Sequence, residues 1–289
     1  MSRRLLALIL FAAVPAALPA AVAIAMAGGA TPARAAETII LQSTTSTLNS
    51  GLLDHILPLF EKKTGIRVKV VAVGTGQALR NARNGDGDVV LVHARDAELA
   101  FVREGWGVDR REVMHNDFVI VCPAEDPAGI AGMRDAAAAL RRIAARKVPF
   151  VSRGDDSGTH RKELKLWAAA GVDPRRAGDG WYRESGAGMG ATLNMAAGMG
   201  ACTLTDRATW LAFRNRSGMR IMVEGDPALF NQYGVMLVNP RRHPHVKEKA
   251  ARAFIDWLTG PEGQKAIAGY RIEGRQVFFP DALPDAAVR

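Results

Sequence analysis

The sequence predicts an α/β fold in which a mainly parallel sheet is covered by helices. Three observations lead there. From Thr38 onward, extended apolar runs alternate with amphipathic ones in the order β-α-β-α-β-α. The run Val89–His93 is apolar up to its last residue, as a strand covered on both faces requires. Between strand and helix the chain repeatedly places a short loop rich in hydroxyl residues and glycine. Of the 289 residues, about 254 remain after the leader described next, enough for two modest domains.

The chain opens Ser2-Arg3-Arg4, continues apolar from Leu5 to about Met26, and reaches Ala33-Arg34-Ala35, a small-x-small cleavage site. Residues 1–35 therefore read as a secretory signal peptide, with an uncleaved anchor as the rival. Ser-Arg-Arg-Leu-Leu weakly resembles a twin-arginine export signal. The net charge is +9, and it remains basic without Arg3, Arg4 and Arg34. That balance suits an anionic ligand, and export argues against nucleic acid as the partner.

Thr38–Leu41 reads as a strand and Gln42–Ser50 as a hydroxyl-rich loop. Gly51–Lys63 reads as a helix with Leu52, Leu53, Ile56, Leu57 and Phe60 on one face, stopped by Gly65. A valine-rich strand, Ile66–Val73, leads to Gly74-Thr75-Gly76-Gln77, which opens a helix to about Arg83. The Gly85–Asp88 turn, the Val89–His93 strand and an Asp96–Glu104 helix complete the first unit. Phe118–Cys122 is an apolar strand stopped by Pro123. Then come a helix at Met133–Arg146, a strand at Val148–Val151, a helix at Thr159–Ala170, a strand at Trp181–Glu184 and a helix at Gly188–Gly198. Ala201–Thr205 is a strand, Asp206 caps a short helix to Phe213, and Arg220–Val223 and Val235–Val238 are strands. His245–Thr259 is an amphipathic helix, another begins at Gly260-Pro261, and the residues from about Pro280 read as a loose tail.

The chemistry concentrates in Val151-Ser-Arg-Gly-Asp-Asp-Ser-Gly-Thr-His160. This polar loop lies between a strand and a helix start, where backbone N–H groups are free and the helix dipole is positive. Arg153, Ser157 and Thr159 add three kinds of side-chain donor, which together make an anion cradle. Ser43-Thr-Thr-Ser-Thr47 and Gly74-Thr-Gly76 occupy equivalent strand-to-helix junctions. Any one of these loops reads first as a helix cap; three of them with one arginine point to a ligand. Arg153 can hold two oxygens of an anion at once; its structural alternative is an ion pair with Asp155 or Asp156, and the two roles are compatible.

Other readings are weaker. Asp156, Ser157 and His160 lie too close in sequence for a hydrolase triad, and no Gly-x-Ser-x-Gly elbow is present. Gly186-x-Gly188-x-Gly190 lacks the dinucleotide pattern and reads as a helix starting close to another backbone. Met189, Met195, Met199 and Trp167, Trp181, Trp210 and Trp257 read as core. His243-Pro-His245 reads as a solvated turn. Cys122 and Cys202 either pair in an oxidising compartment or sit as two buried apolar residues; spacing alone leaves both open, and it lacks the four-ligand pattern of a zinc site.

These stretches together resemble the periplasmic tungstate-binding proteins of ABC uptake transporters over nearly the whole mature chain. The carriers are Ser43-Thr-Thr-Ser46, Ser50-Gly-Leu-Leu53, Val73-Gly-Thr-Gly-Gln-Ala-Leu79, Gly87-Asp-Val-Val-Leu-Val-His93, Asn116-Asp-Phe-Val-Ile120, Phe150–His160, Gly188-Met-Gly190, Thr203-Leu-Thr-Asp-Arg207 and Asn231-Gln-Tyr233. The resemblance implies a two-lobed type II solute-binding fold that closes on its anion. Residues 36–117 and 225–289 would form lobe I and residues 118–224 lobe II. It implies a ligand shell of Thr44, Thr45, Ser46, Thr75, Gly76, Arg153, Ser157, Gly158 and Thr159. It implies a monomer in the periplasm, not an enzyme and without a cofactor, that passes tungstate or molybdate to an inner-membrane permease driven by a cytoplasmic ATPase. Cys122 stands where the family pattern has glycine and Cys202 where it has tyrosine; Ser43 replaces a threonine and keeps the hydroxyl.

Three alternatives remain: a phosphate- or sulfate-type binding protein, an exported serine hydrolase using Ser157 and His160, and an anion sensor for a membrane receptor. Hydrogen phosphate carries a proton and needs a carboxylate acceptor, whereas tungstate, molybdate and sulfate are fully deprotonated and want donors only. Asp96 is the carboxylate to watch: turned inward it favours phosphate, and it is expected to face solvent.

Overall fold

The computed structural model describes residues 37–282 except 177, 179 and 217; the leader and the end of the tail lie outside the described residues. Strands β1 (Thr38–Thr44), β2 (Arg67–Val73) and β3 (Val89–Val92) are parallel neighbours, with Leu41 opposite Val70 on one side and Val89 on the other. Their branched valines favour the extended backbone and pack well across a pleated surface. Helices α1 (Thr45–Asn49), α2 (Leu52–Thr64), α3 (Thr75–Arg83) and α4 (Arg95–Arg103) fill the crossovers. The apolar stripe Leu52, Leu53, Ile56, Leu57 and Phe60 is buried, and Gly65 ends α2 at φ +70°, a left-handed turn that suits glycine.

Past α4 the sheet ceases to be parallel. A 17-residue strand β4 (Gly107–Pro123) follows, long enough to pair with four other strands. Next come α5 (Ala136–Ala145), β5 (Phe150–Ser152), α6 (Gly158–Ala169), β6 (Tyr182–Glu184), α7 (Met189–Met199), β7 (Thr203–Asp206), α8 (Arg207–Ala212) and β8 (Met219–Val223). The chain closes with β9 (Phe230–Val238), α9 (Glu248–Thr259), α10 (Pro261–Gly269), the small hairpin β10 (Arg271–Ile272) and β11 (Arg275–Gln276), and β12 (Phe279–Pro280). The main sheet has the order β12-β4-β9-β3-β1-β2, and β7 and β8 also pair with β4. β9 is antiparallel to both β3 and β4, and β7 and β8 are antiparallel to β4, so the sheet is mixed; β5 and β6 form a separate parallel pair.

Several elements differ from the sequence-based expectation, each for a physical reason. The loop read at Gln42–Ser50 is strand up to Thr44, paired with Val73, and then helix α1. Its hydroxyls serve as caps rather than as loop formers. The first half of β4 was expected as no element at all, because Asp109, Arg110, Arg111 and Glu112 break every apolar period. Ion pairs from Arg110 to Glu98 and from Arg111 to Asp109 and Asp256 hold these charges beside the strand. Helix α5 starts at Ala136 rather than Met133, because the Asp135 carboxylate accepts the Ala138 N–H and sets the cap there. The tail is tied down at its start: Phe279 and Pro280 pair with β4, and Asp281 accepts from Gln232 and contacts His115.

Alternation along β4 divides the interior into two clusters. Val119 and Val121 join the larger one around β1, β3, β9, α2 and α9. Phe118, Ile120 and Cys122 join the smaller one, with Leu140, Ile143, Phe150, Trp167, Trp181 and Cys202. Cys122 and Cys202, 80 residues apart, are joined by a disulfide at the centre of that second cluster. Pairing and burial, which the sequence left as alternatives, both hold.

Glu163, on α6, is buried in the second cluster and accepts hydrogen bonds from Trp167 Nε1 (3.0 Å) and the Tyr182 hydroxyl (2.9 Å). Burial pushes its pKa up from 4.5 to about 7. Between those values the folded chain keeps a proton that the unfolded chain has released. This contribution to stability is therefore full below pH 4.5 and is lost as pH rises through about 7. Glu163→Gln is expected to remove up to one bound proton from the slope, so that urea midpoints at pH 5 and pH 8 move closer together than in the wild type.

Candidate functional site

Three strand-to-helix junctions converge. At the first, Thr44 caps α1 by accepting the Thr47 N–H at 3.2 Å, and its hydroxyl lies 2.6 Å from Thr47 Oγ1 and 3.1 Å from Ser46 Oγ. Thr44 and Ser46 are buried and Thr45 is half-buried. At the second, Gly74 precedes α3, whose first residues are Thr75 and Gly76. At the third, β5 ends at Ser152, the loop Arg153–Asp156 follows, and the Ser157 hydroxyl caps α6 by accepting the His160 N–H at 3.2 Å.

The third junction touches the other two. Arg153 Nη2 donates to Thr45 Oγ1 at 3.2 Å. The Gly158 N–H donates to Thr75 Oγ1 at 3.1 Å, and the Gly76 N–H donates to the Asp156 carbonyl at 3.4 Å. All nine residues expected from the sequence thus lie on three segments in mutual contact. Thr159 Oγ1 is buried without a hydrogen-bond partner in the protein, a polar atom that a bound oxygen would satisfy.

Arg153 is only 1 % exposed, although arginine is rarely buried without a partner. Its partner is Asp155, whose Oδ2 accepts from Nη2 at 2.5 Å while Oδ1 accepts the Ser157 N–H at 3.2 Å. Nε donates to the Ala187 carbonyl at 3.3 Å. Burial lowers the guanidinium pKa and Asp155 opposes the shift, so the charge is retained at a desolvated point. Asp156 instead takes a two-pronged bond from Arg161. Gly154 is obligatory in the turn: its φ is +60°, and a Cβ there would lie 2.5 Å from Glu184 Cβ.

Sequence reasoning missed several neighbours. His93 follows the apolar β3 and places Nε2 3.1 Å from Ser46 Oγ. Asp206 is fully buried; it caps α8 through Thr209, and burial pushes its pKa up to about 6. A histidine directly after a wholly apolar strand was the available signal for the first; the second reads from the sequence as a helix cap, and nothing local marks it as a neighbour of Arg153. Asp96 points outward and pairs with Lys165 at 2.5 Å. Beside the junctions lies a cavity of about 670 Å³ that His93 and Gly158 share with Asp96, Lys162, Lys165 and Phe230.

The arrangement offers hydroxyls, amides at helix starts and one buried guanidinium. It does not offer a hydrolase triad. The Ser157 hydroxyl is occupied as a cap, and His160 Nδ1 accepts the Asp156 N–H instead of facing Ser157. His245 Nε2 bonds the Gly85 carbonyl, and among the described residues no group of three or more His, Cys, Asp and Glu is arranged to hold a metal ion. Also among them, no helix is long and apolar enough to cross a membrane.

Residues 29–262 match the PBP superfamily domain. The chain is 48 % identical over 248 residues to the tungstate-binding protein TupA of Peptoclostridium acidaminophilum, covering 84 % of this chain and 86 % of that one. The tungstate ABC transporter structure from Geobacter sulfurreducens superposes with a TM-score of 0.75 at 53 % identity, over 81 % of this chain and 99 % of that one. The tungstate-binding protein TupA of Desulfovibrio alaskensis G20 superposes with a TM-score of 0.73 at 46 % identity, over 86 % and 100 %. With three donor-bearing junctions gathered on a buried arginine and relatives of this closeness, the chain belongs to the TupA family of tungstate-binding proteins within the PBP superfamily.

Proposed function

We propose that this chain is the solute-binding component of an ABC transporter, capturing tungstate, or molybdate next, and handing it to a membrane permease powered by a cytoplasmic ATPase. The protein acts as a monomer in the periplasm once residues 1–35 are removed. No bond is made or broken and no cofactor takes part. Lobe I (36–117 and 225–289) and lobe II (118–224) close on the anion, so that Thr44, Thr45, Ser46, Thr75, Gly76, Arg153, Ser157, Gly158 and Thr159 supply its hydrogen bonds. Closure replaces water by fixed donors, which are worth more in a dry site.

The observation that carries this reading is the buried Arg153 at the meeting of three donor-bearing helix starts. A dianion there gains charge-assisted hydrogen bonds from the guanidinium. Asp155 is turned onto the arginine and Asp96 onto Lys165, which favours a fully deprotonated oxyanion over hydrogen phosphate. Calorimetric titration of the ligand-stripped mature protein with tungstate, molybdate, sulfate and phosphate tests it. Tight one-to-one tungstate binding with phosphate silent is expected; silence from all four refutes the oxyanion reading.

Gly158 gives a second test. A Cβ at this position would lie 2.9 Å from His93 Cε1 and 3.1 Å from Thr75 Oγ1. Both neighbours are buried and hydrogen-bonded, so neither gives way freely. Gly158→Ala is expected to hold the third junction away from the other two and to weaken tungstate binding roughly tenfold, since misplacement by a fraction of an ångström degrades several hydrogen bonds together. Unchanged affinity in the same titration would remove Gly158 from the shell.

A further inference from the structure

A buried chain of polar groups leads from the hydroxyl cluster into the interior. Ser46 Oγ lies 3.1 Å from His93 Nε2, and His93 Nδ1 lies 3.0 Å from the side-chain amide of Asn231. That amide lies 2.6 Å from the side-chain amide of Asn116, and the Tyr233 hydroxyl sits against both asparagines. All five residues are at most 5 % exposed. Each link carries one proton, so the direction of one hydrogen bond fixes the direction of the next.

Two directions are available. If the Asn231 oxygen faces His93, Nδ1 is the donor and Nε2 is bare. Ser46 then spends its only proton on the ring and turns lone pairs to the cleft. In that direction Asn116 Nδ2 and the Tyr233 hydroxyl stand buried without partners. If both amides face the other way, Asn116 donates to Asn231, Asn231 to His93 Nδ1, and His93 Nε2–H to Ser46 Oγ. Asn116 Nδ2, orphaned in the first direction, is then served by the Asn231 oxygen, and amide orientation follows the network that satisfies its members. With one lone pair of Ser46 Oγ taken by His93, its own proton is available to an anion rather than spent on the ring.

That choice has a chemical meaning. A fully deprotonated oxyanion accepts from a donating Ser46 and is repelled by an accepting one, whereas hydrogen phosphate has a proton for which an accepting Ser46 would be the partner. We propose that His93 is the positioning residue that sets this specificity: in the anion-bound protein it carries its proton on Nε2, donates to Ser46 Oγ, and thereby commits Ser46 to donate to the oxyanion. This rests on the tungstate reading above. Burial, with Arg153 and Lys162 nearby, pulls the His93 pKa down to about 4, so the ring is neutral and the position of its single proton decides the outcome.

The test is ¹⁵N NMR of the histidine-labelled mature chain saturated with tungstate, with the His93 signals assigned by their loss in His93→Gln. A protonated Nε2 and a bare Nδ1 are expected. A bare Nε2 overturns the proposal while leaving tungstate binding intact; failure of the wild type to bind tungstate at all overturns both. Titration of two variants supplies an independent readout. His93→Leu keeps bulk but removes the donor, and a roughly 10- to 100-fold loss of tungstate affinity is expected. Glutamine places an amide N–H near the ring Nε2, so His93→Gln is expected to recover most of that loss. Equal affinity in the two variants, with both folded by circular dichroism, would make His93 a packing residue only.

Discussion

Arg153→Ala is expected to weaken tungstate binding by roughly 30- to 5,000-fold. The guanidinium is almost fully buried and fixed by Asp155, the Ala187 carbonyl and Thr45. It is the cationic side chain that ties the third junction to the first, so a dianion among these hydroxyls without it meets only neutral donors, with the Asp155 carboxylate left bare beside it. Removing one member of a buried charged pair costs about 2–5 kcal/mol, a loss of roughly 30- to 5,000-fold in affinity. Arg153→Lys keeps the charge and loses the planar fork, so an intermediate loss of roughly tenfold is expected. Calorimetric titration measures both. Wild-type affinity in Arg153→Ala, in a variant that melts normally, would place the anion elsewhere.

The second large effect is on stability. Replacing Cys122 and Cys202 together by serine is expected to cost about 2–5 kcal/mol. The disulfide closes a loop across an 80-residue separation, for which the chain-entropy relation gives about 4.5 kcal/mol at room temperature. Both sulfurs lie among Ile120, Leu140, Phe150 and Trp167, so two hydroxyls would also stand in an apolar cluster. Thermal melts with and without reductant check this. The wild type should lose several degrees on reduction and the double variant should not respond to reductant. Tungstate affinity should be nearly unchanged in the double variant at temperatures where it stays folded, because Cys202 meets β5 through backbone hydrogen bonds with Pro149 and Val151, which serine keeps.

Much of this protein is local and was therefore legible in its sequence. The three strand-to-helix units at Thr38–Thr64, Arg67–Arg83 and Val89–Arg103 follow from apolar period, valine content, the stop at Gly65 and the turn at Gly85–Asp88. Caps such as Asp206 and Ser157 work through an N–H three residues on, within reach of a sequence reading. The donor-bearing loops that hold the nine proposed shell residues were legible because helix starts carry free N–H groups wherever they occur.

What remained belongs to contacts between distant segments. The direction of β9 against β3 and β4 is set by pairing across the whole chain, and an apolar run has no mark of direction. The charged half of β4 becomes strand by pairing with β9, while Glu98 and Asp256 meet its arginines. The Cys122–Cys202 bond depended on how close folding brings two backbones, and the choice of Asp155 over Asp156 as partner of Arg153 on a left-handed turn at Asp156. His93 meets Ser46 across 47 residues and Asn231 across 138. Periodicity and caps act over a few residues, so the sequence by itself determined the elements and their donors. Tertiary packing decided which donor faces which, because a hydrogen bond is directional and its partner is chosen only when the two segments meet.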